Sequence, residues 1–171
     1  MYSRRPKESH LDTVRYEIDM LDFCATKLMQ QPQEWSEGDW NVYLEGFLVH
    51  YRNLLRFFSG KKHRSRDLSM KKPEVWAARQ LTDAEPKTIQ NPAQNLDTKY
   101  YDKISSYIQH CTIDRYENDT EWDVQQMYRE LDVIIAAFEQ GFPRGPDEIP
   151  RRSSFGLVAS GIQTVRTQAF G

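Results

Sequence analysis

A long apolar segment that contains several polar side chains constrains the fold of this chain more than any other feature. Residues 43–58 read YLEGFLVHYRNLLRFF. Helical spacing places most of its large apolar residues on one broad face: Leu44, Phe47, Leu48, Tyr51, Leu54, Leu55 and Phe58. Polar side chains flank this face, with Glu45, Arg52 and Arg56 on one side and His50 and Asn53 on the other. Burying a polar group without a partner costs about 1–3 kcal/mol, so each of these groups needs a neighbouring helix or a ligand.

Apolar residues recur every three or four positions in other segments too, which is typical of amphipathic helices. The predicted helices cover residues 8–30, 36–58, 73–80, 95–111 and 119–140. Residues 82–94 are rich in Pro, Asn, Thr and Gln and predict a loop. We therefore expect an all-α protein, a four-to-five-helix antiparallel bundle over residues 1–142.

Individual residues predict where two of these helices begin and end. Ser36, with Asp39 three positions later, is typical of a helix cap, and Gly60 is typical of a helix exit. In the last helix, Trp122 heads an apolar stripe that continues to Phe138. After residue 142 the composition changes to scattered Gly, Ser, Pro and Gln. Residues 143–171 are predicted to be an irregular tail, partly disordered or weakly docked.

Charge and cysteine usage limit the classes of protein to which the chain belongs. Its 171 residues have a formal net charge of -2 and include two isolated cysteines. No apolar run reaches the roughly 20 residues that span a bilayer, and no secretory signal is evident. We expect a cytoplasmic protein without membrane contact. Four histidines without ligand spacing, and the lack of a phosphate-binding loop or C-x-x-C pair, predict neither a metal nor a cofactor.

One segment of the chain is rich in acidic residues and another in basic residues. The acids of the first helix, Asp12, Glu17, Asp19 and Asp22, are predicted to form a solvated face. The connector at residues 61–72, KKHRSRDLSMKK, is strongly basic. Its candidate phosphate contacts are Lys61, Lys62, Arg64 and Arg66, because clustered cations release counterions from a phosphate backbone. The alternative is a solvated loop that maintains solubility.

The polar residues of the second helix are the candidate ligand-binding site. His50, Arg52 and Asn53 would line a groove for phosphate or a nucleotide, with Glu45 orienting Arg52 or an opposing Arg. His110 and Arg115 would join them if the second and third long helices are antiparallel neighbours. In the alternative, Glu45 pairs with an Arg of another helix, while Arg52 and Asn53 satisfy backbone carbonyls.

The segments YLEGFLVHYRNLLRFF and KISSYIQHCTIDRYEND, followed by a Trp-headed helix, resemble uncharacterised bacterial helical proteins of the HEPN (higher eukaryotes and prokaryotes nucleotide-binding) superfamily. The resemblance covers about residues 8–140. It implies a bundle of four or five helices, often a homodimer. Many members are metal-independent ribonucleases of toxin–antitoxin or defence systems, and others bind nucleotides or serve as scaffolds.

The ribonuclease motif of that superfamily is an Arg, a polar residue and then a His on the same helix. Arg52 and Asn53 match its start, but the next His is His63, beyond the helix. The resemblance therefore implies a non-catalytic or degenerate member that binds RNA, a nucleotide or a protein partner. One alternative is a ribonuclease that uses Arg52 with His50 or His110. Another is a purely structural interaction module.

Overall fold

The protein is an all-α bundle, as the sequence predicts. The computed structural model describes residues 7–30, 35–61, 67–77, 84–109, 121–146, 148, 150–151 and 165–166. Its helices are α1 (Lys7–Gln30), α2 (Glu37–Ser59), α3 (Pro73–Trp76), α4 (Ala84–Gln109) and α5 (Val124–Gly141). Two short strands are β1 (Glu121–Trp122) and β2 (Val165–Arg166). Within these ranges, no helix is both long and apolar enough to cross a membrane.

Helix α2 lies between α1 and α4, and α5 closes the bundle by packing against both α4 and α1. Contacts run in opposite directions along neighbouring helices. Early residues of α1 meet late residues of α2, as Glu17 does with His50, while Gly46 of α2 faces the later Cys24. Likewise, Gln94 in the first half of α4 reaches Ser59 at the end of α2, and Tyr107 near the end of α4 packs on Trp122 just before α5. The four long helices therefore alternate in direction, in an up-and-down arrangement.

The apolar face predicted for α2 is the centre of the core. Each of its seven predicted residues is at most 1% exposed. At one end of the bundle, Trp76 of α3 packs among aromatic rings of α2 and α5. Its ring centroid lies 5.1 Å from that of Phe57 and 5.8 Å from that of Phe138. The buried indole N–H donates to the carbonyl of Ser69 at 2.8 Å, which satisfies its only polar atom.

Both predicted boundary signals of α2 are confirmed. The Ser36 hydroxyl accepts a hydrogen bond from the Asp39 N–H, and the Asp39 carboxylate accepts one from the Ser36 N–H. This reciprocal capping box satisfies two amide groups that a helix start leaves unpaired. At the other end, Gly60 adopts a left-handed conformation with φ of 68°. Only glycine takes this conformation without a steric penalty, which explains why the helix stops there.

The predicted loop at residues 82–94 is wrong from Ala84 onward, because α4 begins at that residue. Pro86 stands in the first turn, where no amide hydrogen bond is needed. Pro92 lies inside the helix and removes one hydrogen bond. Ile89 and Ala93 are both buried in the core, at 4% and 0% exposure. Tertiary burial of this face therefore outweighs the local cost of the proline.

The predicted start of the last helix is also wrong. Helix α5 begins at Val124, and the Asp123 side chain caps it by accepting from the N–H of Gln126 at 2.9 Å. Trp122 is buried but belongs to β1, where it pairs antiparallel with Val165 of β2. An Asp at the cap position thus ends the extended segment, and the helical stripe starts two residues after the tryptophan.

The short third helix is shorter than predicted. It ends at Trp76, and Ala77 is already extended. Val75 is 38% exposed while Trp76 is buried, because a single turn directs only part of its apolar residues inward. Residues 78–83, which include Leu81, lie outside the described ranges.

We predict that Gly46→Ala destabilises the protein although alanine favours helices. An added Cβ would lie 2.9 Å from the buried Cys24 Sγ, so α1 and α2 would have to move apart. Overpacking costs about 1–3 kcal/mol, which exceeds the gain of about 1 kcal/mol in helix propensity. Urea unfolding should show a net loss of about 1 kcal/mol. In a Cys24→Ala background the same change should become stabilising, and a loss in both backgrounds would contradict this contact.

Candidate functional site

Two of the three central candidates, His50 and Asn53, bind the same acid of α1. The Glu17 carboxylate lies 2.8 Å from His50 Nδ1 and accepts a hydrogen bond from Asn53 Nδ2 at 3.1 Å. The ring of Tyr16 meets the His50 ring edge-on at 6.0 Å. The His50 side chain is only 13% exposed. These contacts tie α2 to α1 within one chain. Asn53 is therefore paired internally, although with a carboxylate and not with the backbone carbonyl of the alternative, and the same acid also holds His50.

The other flank of α2 is tied to α4. Asp97, whose side chain is 3% exposed, forms a very short ion pair with Lys61 and lies 3.7 Å from Arg56 Nε. The Arg56 guanidinium also stacks on the Tyr101 ring, with 3.2 Å between its carbon and the ring centroid. A buried carboxylate needs such cations, because it would otherwise be an uncompensated charge. Lys61, a predicted phosphate contact, therefore has an acidic partner inside the protein.

Arg52 is the candidate of α2 whose polar atoms are least satisfied. Its Nη1 is buried and has no hydrogen-bond partner in the part of the chain that the structure describes. Residues 50 and 52 are separated by about 200° around a helix, so Arg52 and His50 lie on opposite flanks of α2. Glu45 is half-buried and has a contact of its own.

The remaining candidates lie outside the described residues: His110, Arg115, Lys62, Arg64 and Arg66. Their predicted roles stay predictions. Among the residues that the structure does describe, no group of three or more His, Cys, Asp or Glu side chains is placed to hold a metal ion.

The two ends of the basic connector lie side by side at the end of α2. The N–H of Met70 donates to the carbonyl of Phe57 at 3.0 Å. The side chain of Lys71 lies directly over Gly60, where a Cβ would come within 2.7 Å of it. Met70 is 1% exposed and anchors this end in the core, whereas Lys61 and Lys71 are exposed. The fold therefore holds both ends of the basic segment at one defined place on the surface.

A buried ionic cluster joins α1 and α5 and corrects the prediction of a solvated acidic face on α1. Asp22 is 6% exposed. It accepts hydrogen bonds from Arg151 Nε and Nη2 at 2.7 and 2.8 Å, and from the Tyr128 hydroxyl at 2.8 Å. Asp132 lies 2.6 Å from Arg151 Nη2. We name Asp22, Tyr128 and Asp132 the acidic pocket. The sequence predicted neither these three residues nor Arg151 as site residues.

Burial and pairing act in opposite directions on the charges of this cluster. Burial raises the pKa of Asp22, although the hydrogen bonds and charge of Arg151 act to lower it. For Arg151, burial alone would lower the pKa, but the bonds and charge of Asp22 raise it above its ordinary value. An Arg guanidinium does not lose its proton in proteins. Arg151 is therefore a permanent cation between two carboxylates.

Residues after α5 reach α1 through further ionic contacts. We call residues 143–151 the strap. Arg144 bonds Asp19 at 2.6 Å and Glu139 at 3.0 Å, and Arg15 of α1 bonds Glu148 at 2.5 Å. Asp19 is exposed, as predicted for the acids of α1, but it is paired. The described part of the strap lies against the bundle, whereas the division of the chain at residue 142 stays a prediction.

Comparison with known proteins does not assign the chain to a family. No protein-family model matches it, and neither does any curated protein or solved structure.

We predict that Glu17 and His50 stabilise the fold as a coupled pair. A double-mutant cycle with Glu17→Ala and His50→Ala, followed by urea unfolding, should give a coupling energy of about 1–2 kcal/mol, because each partner is half-buried and loses the same bond. The control pair Asp12→Ala and His50→Ala should be additive, since the Asp12 side chain is 67% exposed. Additive losses for Glu17 and His50 would contradict the pairing.

We predict that Arg151→Ala is far more destabilising than Arg144→Ala. Removing Arg151 takes the bidentate cation from the buried Asp22 carboxylate and also a partner from Asp132, which costs about 3–5 kcal/mol. Arg144 pairs with Asp19 and Glu139, whose side chains are 50% and 20% exposed and stay accessible to water, so its loss should cost less, about 1 kcal/mol. Chemical denaturation of both variants measures the difference, and equal losses would contradict the importance of the acidic pocket.

Proposed function

We propose that this protein is a non-catalytic, HEPN-like helical protein that binds RNA through the basic connector at residues 61–72. The observation that carries the proposal is the fixed placement of the connector's two ends at the end of α2. Six Lys or Arg residues stand against a single Asp in this segment. Concentrating cations at one surface position favours a phosphate backbone even though the whole chain has a net charge of -2.

The polar flanks of α2 support a non-catalytic role. The ribonuclease alternative with His50 needs His50 and Arg52 at one scissile phosphate. These residues occupy opposite flanks of α2, and His50 is held by Glu17 of α1. The second alternative is a ribonuclease that uses Arg52 with His110. An assay of RNA cleavage in EDTA that compares wild type with Arg52→Ala and His110→Ala distinguishes this alternative from the non-catalytic proposal. Cleavage by wild type that both variants lose would overturn the non-catalytic proposal.

We further propose, from the resemblance, a cytoplasmic homodimer that acts in a defence or toxin–antitoxin setting. Light scattering coupled to size-exclusion chromatography tests the dimer. A mass equal to one 20.2 kDa chain at all concentrations would reject it.

We predict that replacing Lys62, Arg64 and Arg66 together by Ala weakens RNA binding. Each lost phosphate contact on a single strand lowers the slope of log K against log salt by about 0.7, so three lost contacts lower it by about 2. Affinity should fall by roughly tenfold or more, uniformly across RNA sequences. Fluorescence anisotropy with labelled single-stranded RNA over a salt series measures both quantities.

A matched control removes the same charge elsewhere. Lys27, Lys103 and Arg129 lie late on α1, late on α4 and early on α5, toward the opposite end of the bundle from the connector, and their replacement by Ala also changes the net charge by three. RNA affinity and salt slope should stay close to those of wild type. Equal effects of both triple variants would show general electrostatic attraction only. Weak binding that neither variant changes would favour the purely structural interaction module.

A further inference from the structure

Two aromatic side chains stand on the outer face of α1. Tyr16 is 56% exposed and Phe23 is 47% exposed. They are seven positions apart, which is two helical turns, so they lie on the same side of the helix. Ile18 and Ala25, which are buried in the core, lie on the opposite side. Large apolar side chains that are exposed together, with the half-buried Met20 between them, indicate an interaction surface.

Neighbouring side chains hold both exposed rings in place. The Tyr16 ring meets the His50 ring edge-on at 6.0 Å, and the Phe23 ring meets the Tyr43 ring edge-on at 5.9 Å. Lys27 Nζ lies 5.7 Å from the centroid of the Phe23 ring. A ring that is already held loses little conformational entropy when a partner covers it. Both rings are therefore suited to be anchors of an interface.

Charged residues stand at the two ends of this face. We call Asp12, Tyr16, Met20, Phe23 and Lys27 the outer stripe, and its successive members are three or four positions apart. The acid comes first, the base comes last, and the two aromatic residues lie on either side of Met20. The order is therefore the same from both ends, except that the sign of the terminal charge changes.

A second copy of α1 that packs antiparallel matches this order. A two-fold axis near Met20 places Asp12 of each protomer opposite Lys27 of its partner. The same axis places Tyr16 opposite Phe23. A two-fold interface needs this self-complementarity, because both protomers contribute the same face. A parallel arrangement would instead bring Asp12 against Asp12 and Lys27 against Lys27.

The ion pairs near the outer stripe leave this arrangement open. Asp12 lies 3.8 Å from Arg15, but Arg15 has a nearer partner in Glu148 at 2.5 Å, and the Asp12 side chain is 67% exposed. Asp19 lies beside the centre of the stripe, where a two-fold axis brings it close to its own copy. Arg144 pairs with Asp19 at 2.6 Å, so two uncompensated acids do not meet there.

The composition of the outer stripe favours a protein partner over RNA. One acid and one base give no net charge, whereas a phosphate backbone attracts a surface with excess cations. Tyr, Phe and Met are enriched in the cores of protein interfaces, where charged residues are depleted. We propose that two copies of this chain pair through the outer stripe, with the two α1 helices antiparallel. This assignment rests on the homodimer of the proposed function and adds its interface.

The size of the outer stripe determines how tight this dimer is. Lys27 lies 15 positions after Asp12, so the stripe is about 22 Å long at 1.5 Å per residue. It is one helix wide and covers less than the roughly 800 Å² that each partner of a standard interface buries. The dimer is therefore weak and reversible, with a Kd of roughly micromolar order. The mass of the protein has to be measured over a concentration series.

Charge reversal on the outer stripe tests the antiparallel pairing. Asp12→Lys sets two lysines against each other at both ends of the interface, and Lys27→Asp does the same with two aspartates. Each single variant should therefore have a Kd at least about tenfold higher than wild type at low salt. The double variant Asp12→Lys with Lys27→Asp restores opposite charges and should dimerise as wild type does. Light scattering coupled to size-exclusion chromatography measures the mass at each concentration.

A mixture of the two single variants gives the sharpest result. In a pair of one Asp12→Lys chain and one Lys27→Asp chain, opposite charges meet at both ends. The equimolar mixture should therefore form a dimer at concentrations at which each variant alone is a monomer. Raising the salt concentration should reduce the difference between the single variants and wild type, because salt screens exposed charges.

A second pair of variants tests the aromatic centre of the interface. Phe23→Ser removes an anchor from each protomer and should raise the Kd at least about tenfold. Val133→Ser is the matched control, because Val133 is 69% exposed but lies on α5. It should leave the dimer unchanged. Circular dichroism and urea unfolding should show that both variants fold, since neither side chain is in the core.

The possible failures of the interface and of the homodimer give different results. A wild type with the mass of one chain at every concentration would overturn both. A dimer that persists in Phe23→Ser and in both single charge variants would reject the outer stripe and leave the homodimer standing. Charge variants that dissociate without recovery in the mixture or the double variant would reject the antiparallel pairing. An equal loss in Val133→Ser would also reject this interface.

Discussion

The pairing of cations and polar groups with carboxylates from neighbouring helices holds this bundle in one arrangement. Glu17 joins α1 to α2, Asp97 joins α4 to the end of α2, and Asp22 joins α1 to α5 through Tyr128. Apolar burial alone tolerates some rotation of one helix against another, because many apolar contacts are of similar energy. A buried carboxylate tolerates little rotation, since moving it from its partner leaves an uncompensated charge. These ties therefore select the register that the apolar stripes leave open.

The helices were predictable wherever local chemistry and burial agree. Helix α2 combines a capping box, a broad apolar face and a left-handed glycine, and its predicted bounds match the structure. Helix α4 was mispredicted because the prolines and amides before Asn95 favour a loop locally, while Ile89 and Ala93 are buried against other helices. That gain depends on tertiary neighbours, which a single segment does not reveal. The prediction that Trp122 stands within the last helix was wrong for a related reason, because a buried tryptophan does not have to be helical.

The polar groups of α2 were predictable as groups in need of partners, but the partners were not. Asp22 follows Ile18 by four residues, and Asp97 follows Ala93 by four, so both acids stand on the apolar stripes of their helices. That spacing was the available signal for their burial. The ion pair between Asp22 and Arg151 could not be predicted from the sequence. The two residues are 129 positions apart, and they meet only because α5 packs against α1.

An internal tie and a ligand site use the same chemistry, so the position of each polar group decides between them. His50 and Asn53 bond Glu17 of α1, so a neighbouring helix of the same chain already provides their partner. Arg56 lies beside Asp97 of α4, but its buried Nε makes no hydrogen bond within the described residues. The connector differs because its described residues lie outside the helices, with its two ends held at the end of α2. Irregular structure adjusts to a ligand at a lower cost than a packed helix, because its local opening requires less free energy than opening of the core. We therefore expect recognition at the connector rather than on the flank of α2 that Glu17 holds.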